Sequence, residues 1–286
     1  MVILNMVGNN YLCLQFVGRA SLATSFANYK FLIMYGLLFS VVKLCSFYYG
    51  ALMSSMSYYC IDGVAITSLC YSMTLSEPVE VLSKKRPTAS LLGTTTVASS
   101  VGIFILSFIC LISALCMMQN HPDYVAWPAE YASSSDWWTL SDNWEGTVMY
   151  AVMFLFLVCS AGIFSFGYQF RRPAWQNIPL MVNVGFLFIL TTLILLLDAN
   201  DLSDMWHIAS FRFNCKDTVS PVWEEYQLDG GDTSAAMDFT LRLEIYVLVV
   251  SFVLLSVLWQ SQVMEGFIGD YLKVKYPLKF HSPMRF

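Results

Sequence analysis

The chain has 286 residues, of which 57% are hydrophobic and only 12% are charged, and its net charge is −5. A soluble domain carries about twice that charged fraction, so the composition excludes an ordinary soluble protein, and we expect no nucleic-acid partner. The apolar residues form blocks of about twenty, the length that crosses a bilayer as a helix. We therefore predict an all-α membrane protein whose first partner is the lipid bilayer.

The apolar blocks predict six transmembrane helices, at residues 31–50, 56–75, 97–118, 147–168, 178–197 and 243–264. Residues 1–30 are expected to form a cytosolic lead-in. Residues 31–75 are expected to form a helical hairpin, because the turn between the first two spans is short. Residues 97–264 then hold four further helices with two long loops.

Basic residues are concentrated in three short segments, and loops rich in Lys and Arg mark the cytosolic side of a membrane protein. They lie in the link 76–96, in the link after the fourth span and in the tail 265–286, at Lys84, Lys85, Arg86, Arg171, Arg172, Lys273, Lys275, Lys279 and Arg285. The loops 119–145 and 198–238 are mostly acidic, so we expect them to be lumenal. An even number of spans then places both termini in the cytosol.

Cysteine and histidine spacing gives no sign of metal or redox chemistry. The eight cysteines include no Cys-x-x-Cys motif, and His121, His207 and His281 are scattered. The sequence also lacks a phosphate-binding loop, a nucleophile elbow and a zinc motif. We therefore expect this chain to contain no catalytic residue, no metal site and no cofactor of its own.

One carboxylate, Asp62, lies inside the second apolar block, about 10 Å from its end in a hydrocarbon core about 30 Å thick. An ionisable residue inside a membrane is costly and marks a functional site by default. Lys43 lies at a similar depth in the first block, and the hairpin makes the two helices antiparallel neighbours. Lys43 is therefore expected either to pair with Asp62 or to extend towards the interface.

Aromatic residues flank this acid. Tyr35, Phe39 and Lys43 are spaced i, i+4 and i+8, which places them on one face of a helix. The interpretation is an aromatic-lined groove with an acid, open towards the lumen; the alternative is plain helix packing around a buried structural carboxylate. The candidate substrate-binding residues are Asp62, Tyr35, Phe39, Lys43 and Tyr58.

Five short motifs stand out along the chain: GRASLATSF at 18–26, YYCID at 58–62, LSKKRPTASLL at 82–92, NWEGTV at 143–148 and FRRP at 170–173. They resemble motifs of the type V P-type ATPases, most closely those of the polyamine- and cation-transporting subgroup B, and the resemblance covers about residues 18–265. It implies that the chain corresponds to the fifth to tenth helices of that family's transport domain. It also implies an endomembrane location in late endosomes, lysosomes or vacuoles.

The same resemblance implies a role for the hairpin. The family's substrate site lies between its fourth, fifth and sixth helices, and Tyr35 and Asp62 match polar positions of that site. Phe39, where polyamine transporters commonly have glutamine, and Lys43, a cation beside Asp62, depart from the pattern. ATP and magnesium are implied for the full-length family, but the phosphorylation motif Asp-Lys-Thr-Gly-Thr is absent here.

Three hypotheses follow for the function. The leading one is the membrane portion of a cation transporter whose ATPase domains are supplied by a longer product or in trans; the resemblance implies that its substrate is a polyamine. The second is a catalytically inactive six-span protein with a structural or regulatory role. The third, an independent six-helix carrier, is disfavoured because the sequence shows no internal repeat.

Overall fold

A computed structural model describes residues 2–79, 92–131, 143–166, 170–197, 205–208, 229 and 237–275. Within these ranges the regular elements are helices, which confirms the all-α prediction. Several predicted features lie outside the described residues: the basic cluster Lys84, Lys85 and Arg86, most of the second acidic loop, and Lys279 and Arg285 of the tail.

The helices follow one another in the order expected from the apolar blocks. They are α1 (Val2–Tyr49), α2 (Ser55–Tyr58), the π-helix π1 (Tyr59–Ile66), α3 (Thr67–Thr74), α4 (Thr94–Gln119), α5 (Trp144–Phe164), α6 (Ile178–Leu196), α7 (Phe239–Leu258), the π-helix π2 (Trp259–Phe267) and α8 (Ile268–Lys275). Short 3₁₀ turns lie at Ala129–Tyr131 and Ala174–Gln176.

Five of these helices are long and apolar enough to cross a membrane. They are α1 from Val17 onwards, α4, α5, α6, and α7 with the beginning of π2. The predicted second span, 56–75, corresponds to α2, π1 and α3, which follow one another without a break. Its central π-helical portion divides what the apolar pattern presents as one uniform helix.

Both ends of the chain include helix. Residues 1–30 were predicted as a cytosolic lead-in, and α1 includes nearly all of them, because it runs from Val2 to Tyr49 as one helix of 48 residues. The lead-in contains no proline, the residue that most strongly breaks a helix, so the span continues into it. Part of the tail 265–286 is also helical, as α8.

Helix α5 forms the centre of the bundle. It contacts α1, α4, α6 and α7. In an apolar 18-residue stretch of α5, 89% is buried inside the bundle, whereas the corresponding share for α6 is 28%. The outer helices instead expose large apolar side chains such as Phe186 and Ile189, as expected where a helix faces lipid. The remaining helices are therefore positioned around α5.

The turn after α1 fixes the start of the hairpin. Gly50 adopts a φ of +62° directly after the helix ends, and the amide of Ala51 donates to the carbonyl oxygen of Ser46 at 3.2 Å. This is the bonding pattern of a Schellman motif, in which glycine takes the left-handed conformation. The chain then reverses and enters α2 antiparallel to α1.

The beginning of α5 is fastened to this turn. Asn143 caps α5 by accepting a hydrogen bond from the amide of Gly146, and its Nδ2 donates to the carbonyl oxygen of Leu52 at 3.2 Å. A Cβ on Gly146 would lie only 2.7 Å from that same carbonyl oxygen. The motif at 143–148 therefore allows the hairpin turn to approach the central helix closely.

Amide side chains connect α3 to α6. The Nδ2 of Asn177 donates to the backbone oxygen of Ser72 at 2.9 Å, and the Nδ2 of Asn183 donates to the Ser72 hydroxyl at 3.2 Å. Asn177 also accepts from the amide of Leu180, as the N-cap of α6. Hydrogen bonds of this kind join neighbouring helices inside a bilayer.

We expect Asn177→Ala to lower the free energy of unfolding in detergent by about 1–2 kcal/mol, because it removes a helix cap and an interhelical hydrogen bond. Asn120→Ala is the matched control, since Asn120 is an exposed asparagine at the end of α4 and should change stability by less than about 0.5 kcal/mol. Thermal unfolding measures both. Equal effects from the two substitutions would contradict this role for Asn177.

The two links that follow α3 and α5 contact each other. The amide of Arg172 donates to the carbonyl oxygen of Glu77 at 2.9 Å, and their side chains form an ion pair at 2.6 Å. Arg171 is buried, and its Nη2 donates to the carbonyl oxygen of Phe164 at the end of α5. The links that were predicted to share one side of the membrane thus meet at one end of the bundle.

Candidate functional site

Asp62 lies in the π-helical segment π1. A π-helix inserts extra residues into a turn, and such turns occur frequently at functional sites. Asp62, Gly63 and Val64 are three consecutive exposed residues. In the part of the chain that the structure describes, the Asp62 carboxylate therefore lies on the surface of the bundle rather than in its core.

The Asp62 carboxylate is held by the neighbouring helix. The hydroxyl of Tyr35 on α1 donates to Oδ1 of Asp62 at 2.6 Å. A hydrogen bond to an ionised acceptor is short and stronger than one between neutral groups. Tyr35 and Asp62, two of the candidate substrate-binding residues, are therefore in direct contact.

Aromatic rings continue from this pair along the groove between α1 and α2. The ring centroids of Tyr35 and Phe39 are 5.5 Å apart, and those of Phe39 and Tyr58 are 6.1 Å apart in an edge-to-face arrangement. Such separations are typical of favourable aromatic pairs. The three rings therefore form one continuous row that starts at the carboxylate, and we call Asp62 with this row the acid–aromatic groove.

Lys43 lies at the far end of the row and contacts Tyr58. Its Nζ donates to the Tyr58 hydroxyl at 2.8 Å and lies 3.9 Å from the centroid of that ring and 5.4 Å from the centroid of Phe39. Among the described residues, Lys43 and Asp62 form no ion pair within 4.0 Å. Of the two outcomes expected for Lys43, the pair with Asp62 is therefore not formed.

The antiparallel hairpin explains why Lys43 does not reach Asp62. Tyr35 and Lys43 are eight residues apart on α1, a rise of about 12 Å. Residues nearer the turn on α1 face residues nearer the turn on the returning helix, so Lys43 meets Tyr58 while Tyr35 meets Asp62. The sequence prediction had counted residues from the ends of the two spans, and this count placed Lys43 and Asp62 at the same depth in the membrane.

The acid–aromatic groove has the chemistry of a cation site. A carboxylate attracts a cation strongly where water is scarce, and the faces of tyrosine and phenylalanine rings add cation–π attraction. The observed seating of the Lys43 ammonium on Tyr58 and Phe39 shows that these rings accept such a group. The arrangement suits an ammonium attached to an apolar body.

Glu145 was counted from the sequence among the acids of the loop 119–145, but it lies in the first turn of α5. Its side chain is only 1% exposed, and its Oε1 accepts from the Tyr124 hydroxyl at 2.8 Å and from the amide of Trp127 at 3.1 Å. Burial, together with the Glu145 carboxylate, raises the pKa of Tyr124 in the loop. The signal was Asn143, whose capping role assigns Glu145 to the first turn of α5.

Arg242 was not identified from the sequence. It lies in the first turn of α7 and is 6% exposed, and its Nη1 donates to the carbonyl oxygens of Leu195 and Leu197 at 3.1 and 3.0 Å. A cation at the C-terminus of a helix, here α6, is stabilising. Because the two helices are separated by a long loop, no local sequence pattern signals this contact.

Membrane-length apolar helices packed around a buried central helix define an integral, multi-pass, all-α membrane protein. Curated relatives confirm the resemblance to the type V P-type ATPases, and the chain is consistent with a fragment of that family. It is 26% identical over 171 residues to the human polyamine-transporting ATPase 13A2. The aligned region covers 59% of this chain and 14% of that protein.

Two further relatives give the same result. The chain is 24% identical over 221 residues to the human polyamine-transporting ATPase 13A3, covering 71% of this chain and 18% of that protein. It is 24% identical over 167 residues to the vacuolar cation-transporting ATPase YPK9 of Saccharomyces cerevisiae, covering 58% and 11%. No protein-family profile matches the chain. The matched region thus spans less than a fifth of the length of these relatives.

Proposed function

We propose that the chain is the membrane-embedded part of a P-type cation transporter of endomembranes, and that the acid–aromatic groove lines part of the path of an organic cation. Polyamines are the first substrate class to consider, because two of the relatives described above are named for polyamine transport. The observation that carries the proposal is the exposed Asp62 carboxylate, held at 2.6 Å by Tyr35 at the start of a row of rings.

The exposure of Asp62 is the central step. A carboxylate facing lipid alone is costly, and ionisable residues in membrane helices face a cavity or a protein partner. In the proposed transporter the groove is closed by a further helix that corresponds to the family's fourth. Asp62 would then face a cavity between helices, where a low dielectric strengthens its attraction for a cation.

The proposed topology has six spans, with α2, π1 and α3 together as the second, and both termini in the cytosol. It is supported by the basic residues of the links and the acidic loops, and by the contact of the two links through Glu77 and Arg172. ATP and magnesium are assigned to domains outside this chain. No group of three or more His, Cys, Asp or Glu among the described residues is placed to hold a metal ion.

Equilibrium binding of radiolabelled butylamine and spermine to the full chain in lipid nanodiscs tests the proposal. We expect Asp62→Asn to weaken binding of both amines by about tenfold or more, a change of about 1.4 kcal/mol or more, because the attracting charge is lost. Glu244→Gln is the matched control, since Glu244 is an exposed acid on another membrane helix. Equal effects from the two substitutions, or no saturable binding, would contradict the proposed function.

One observation favours the second function, that of an inactive structural or regulatory protein. Lys43 already rests on Tyr58 and Phe39, so part of the groove is filled by a cation of the chain itself. This function predicts no saturable amine binding by the wild-type chain or by Asp62→Asn. It also predicts stable co-purification with an intact P-type ATPase.

A further inference from the structure

The ammonium of Lys43 occupies the place that a bound cation would take on the last two rings of the groove. Its Nζ donates to the Tyr58 hydroxyl at 2.8 Å and lies over the ring of the same residue, 3.9 Å from the centroid. The Phe39 centroid is 5.4 Å away. Cations bind aromatic faces within about 6 Å of the centroid, so both contacts fall within that range.

The other half of the groove has no such occupant among its described contacts. Asp62 is exposed and accepts one hydrogen bond, from the neutral hydroxyl of Tyr35, which leaves its negative charge uncompensated by an ion pair. The groove therefore has two unequal subsites. One is an acidic subsite formed by Asp62 and Tyr35, and the other is an aromatic subsite formed by Phe39 and Tyr58.

We propose that Lys43 is a tethered cation that fills the aromatic subsite and limits the groove to one ammonium group, bound at the acidic subsite. The inference rests on the proposed function and narrows its substrate class. An amine with a single ammonium and an apolar tail binds with the ammonium at Asp62. A long polyamine engages the groove through one ammonium only.

Because like charges repel, Lys43 does more than fill the aromatic subsite: it discriminates between amines with one ammonium group and amines with several. A second ammonium that followed the row of rings from Asp62 towards Tyr58 would approach the Nζ of Lys43, and like charges a few ångströms apart in a poorly screened site repel strongly. A monoamine places no second charge there. Specificity of this kind arises from a built-in repulsive element rather than from an additional attractive contact.

Amine selectivity tests this role. The ratio of spermine affinity to butylamine affinity is measured for the full chain in nanodiscs, by competition against radiolabelled butylamine. Lys43→Gln is expected to raise that ratio about tenfold, mostly by tighter spermine binding. Lys43→Arg keeps the cation and should leave the ratio near the wild-type value.

Lys30→Gln is the matched control, because Lys30 is another lysine of α1 placed over an aromatic ring, that of Phe164 at 5.2 Å. It should also leave the ratio unchanged. An unchanged ratio in Lys43→Gln, while Asp62→Asn still weakens both amines, overturns the role of Lys43 and leaves the proposed function intact. If Asp62→Asn weakens neither amine, or no amine binds to any variant, the proposed function fails and this inference fails with it.

Discussion

Glu145→Ala is expected to lower the free energy of unfolding by about 3 kcal/mol. The substitution removes the acceptor of two hydrogen bonds, from the Tyr124 hydroxyl and the Trp127 amide, and hydrogen bonds to a charged group contribute about 1.5–3 kcal/mol each. The buried donors left behind add a desolvation penalty. Thermal or denaturant unfolding of the protein in a mild detergent measures the loss.

Glu130→Ala provides the control for this prediction. Glu130 is an exposed acid of the same loop, in the turn Ala129–Tyr131, and its removal should change stability by less than about 0.5 kcal/mol. Glu145→Gln keeps an acceptor oxygen and should retain part of the stability. A loss for Glu145→Ala no larger than that for Glu130→Ala would show that the loop is not anchored through Glu145.

Gly146→Ala is expected to destabilise the protein by about 2–3 kcal/mol. The new methyl group would lie 2.7 Å from both the carbonyl oxygen of Leu52 and Oδ1 of Asn143. Relief of that overlap must separate the hairpin turn from α5 or break the cap, and overpacking typically costs about 1–3 kcal/mol with about 1 kcal/mol more for a lost cap. The same unfolding measurement applies.

Gly162→Ala is the matched substitution on the same helix. Nothing lies within 4 Å of a Cβ at Gly162, so alanine should be neutral or stabilising by up to about 1 kcal/mol from helix propensity alone. Because the hairpin carries Asp62, we also expect Gly146→Ala, unlike Gly162→Ala, to weaken amine binding. Similar stabilities for the two variants would mean that the turn is not docked closely on α5.

The apolar blocks predicted well where the long membrane helices lie. The predicted spans 97–118 and 178–197 agree closely with α4 and α6, because burial in lipid requires a continuous apolar run. Helix ends were less predictable, since the fourth span was placed at 147–168 while α5 begins at Trp144 under the Asn143 cap. The π-helical turn around Asp62 has no sequence signature that the pattern could report.

The site was predicted only in part. Helical spacing placed Tyr35 and Phe39 on one face, and the structure brings them into one row that ends at Asp62. Which residue Lys43 contacts depends on how far α1 is shifted along its axis relative to α2. The lengths of the apolar blocks do not determine that shift to within one helical turn. Contacts between distant segments, such as that of Arg242 with Leu195, need the packed bundle to be seen.

Photo-crosslinking determines whether the acid–aromatic groove binds the cation. The full chain in nanodiscs is irradiated with a diazirine-bearing alkylamine, and the modified residues are located by mass spectrometry. Labelling is expected in α1 around Tyr35 and Phe39 and in the segment from Tyr58 to Asp62, and it should be reduced by excess butylamine and lost in Asp62→Asn. Labelling that is spread over the lipid-facing helices, or that persists unchanged in Asp62→Asn, would contradict binding in this groove.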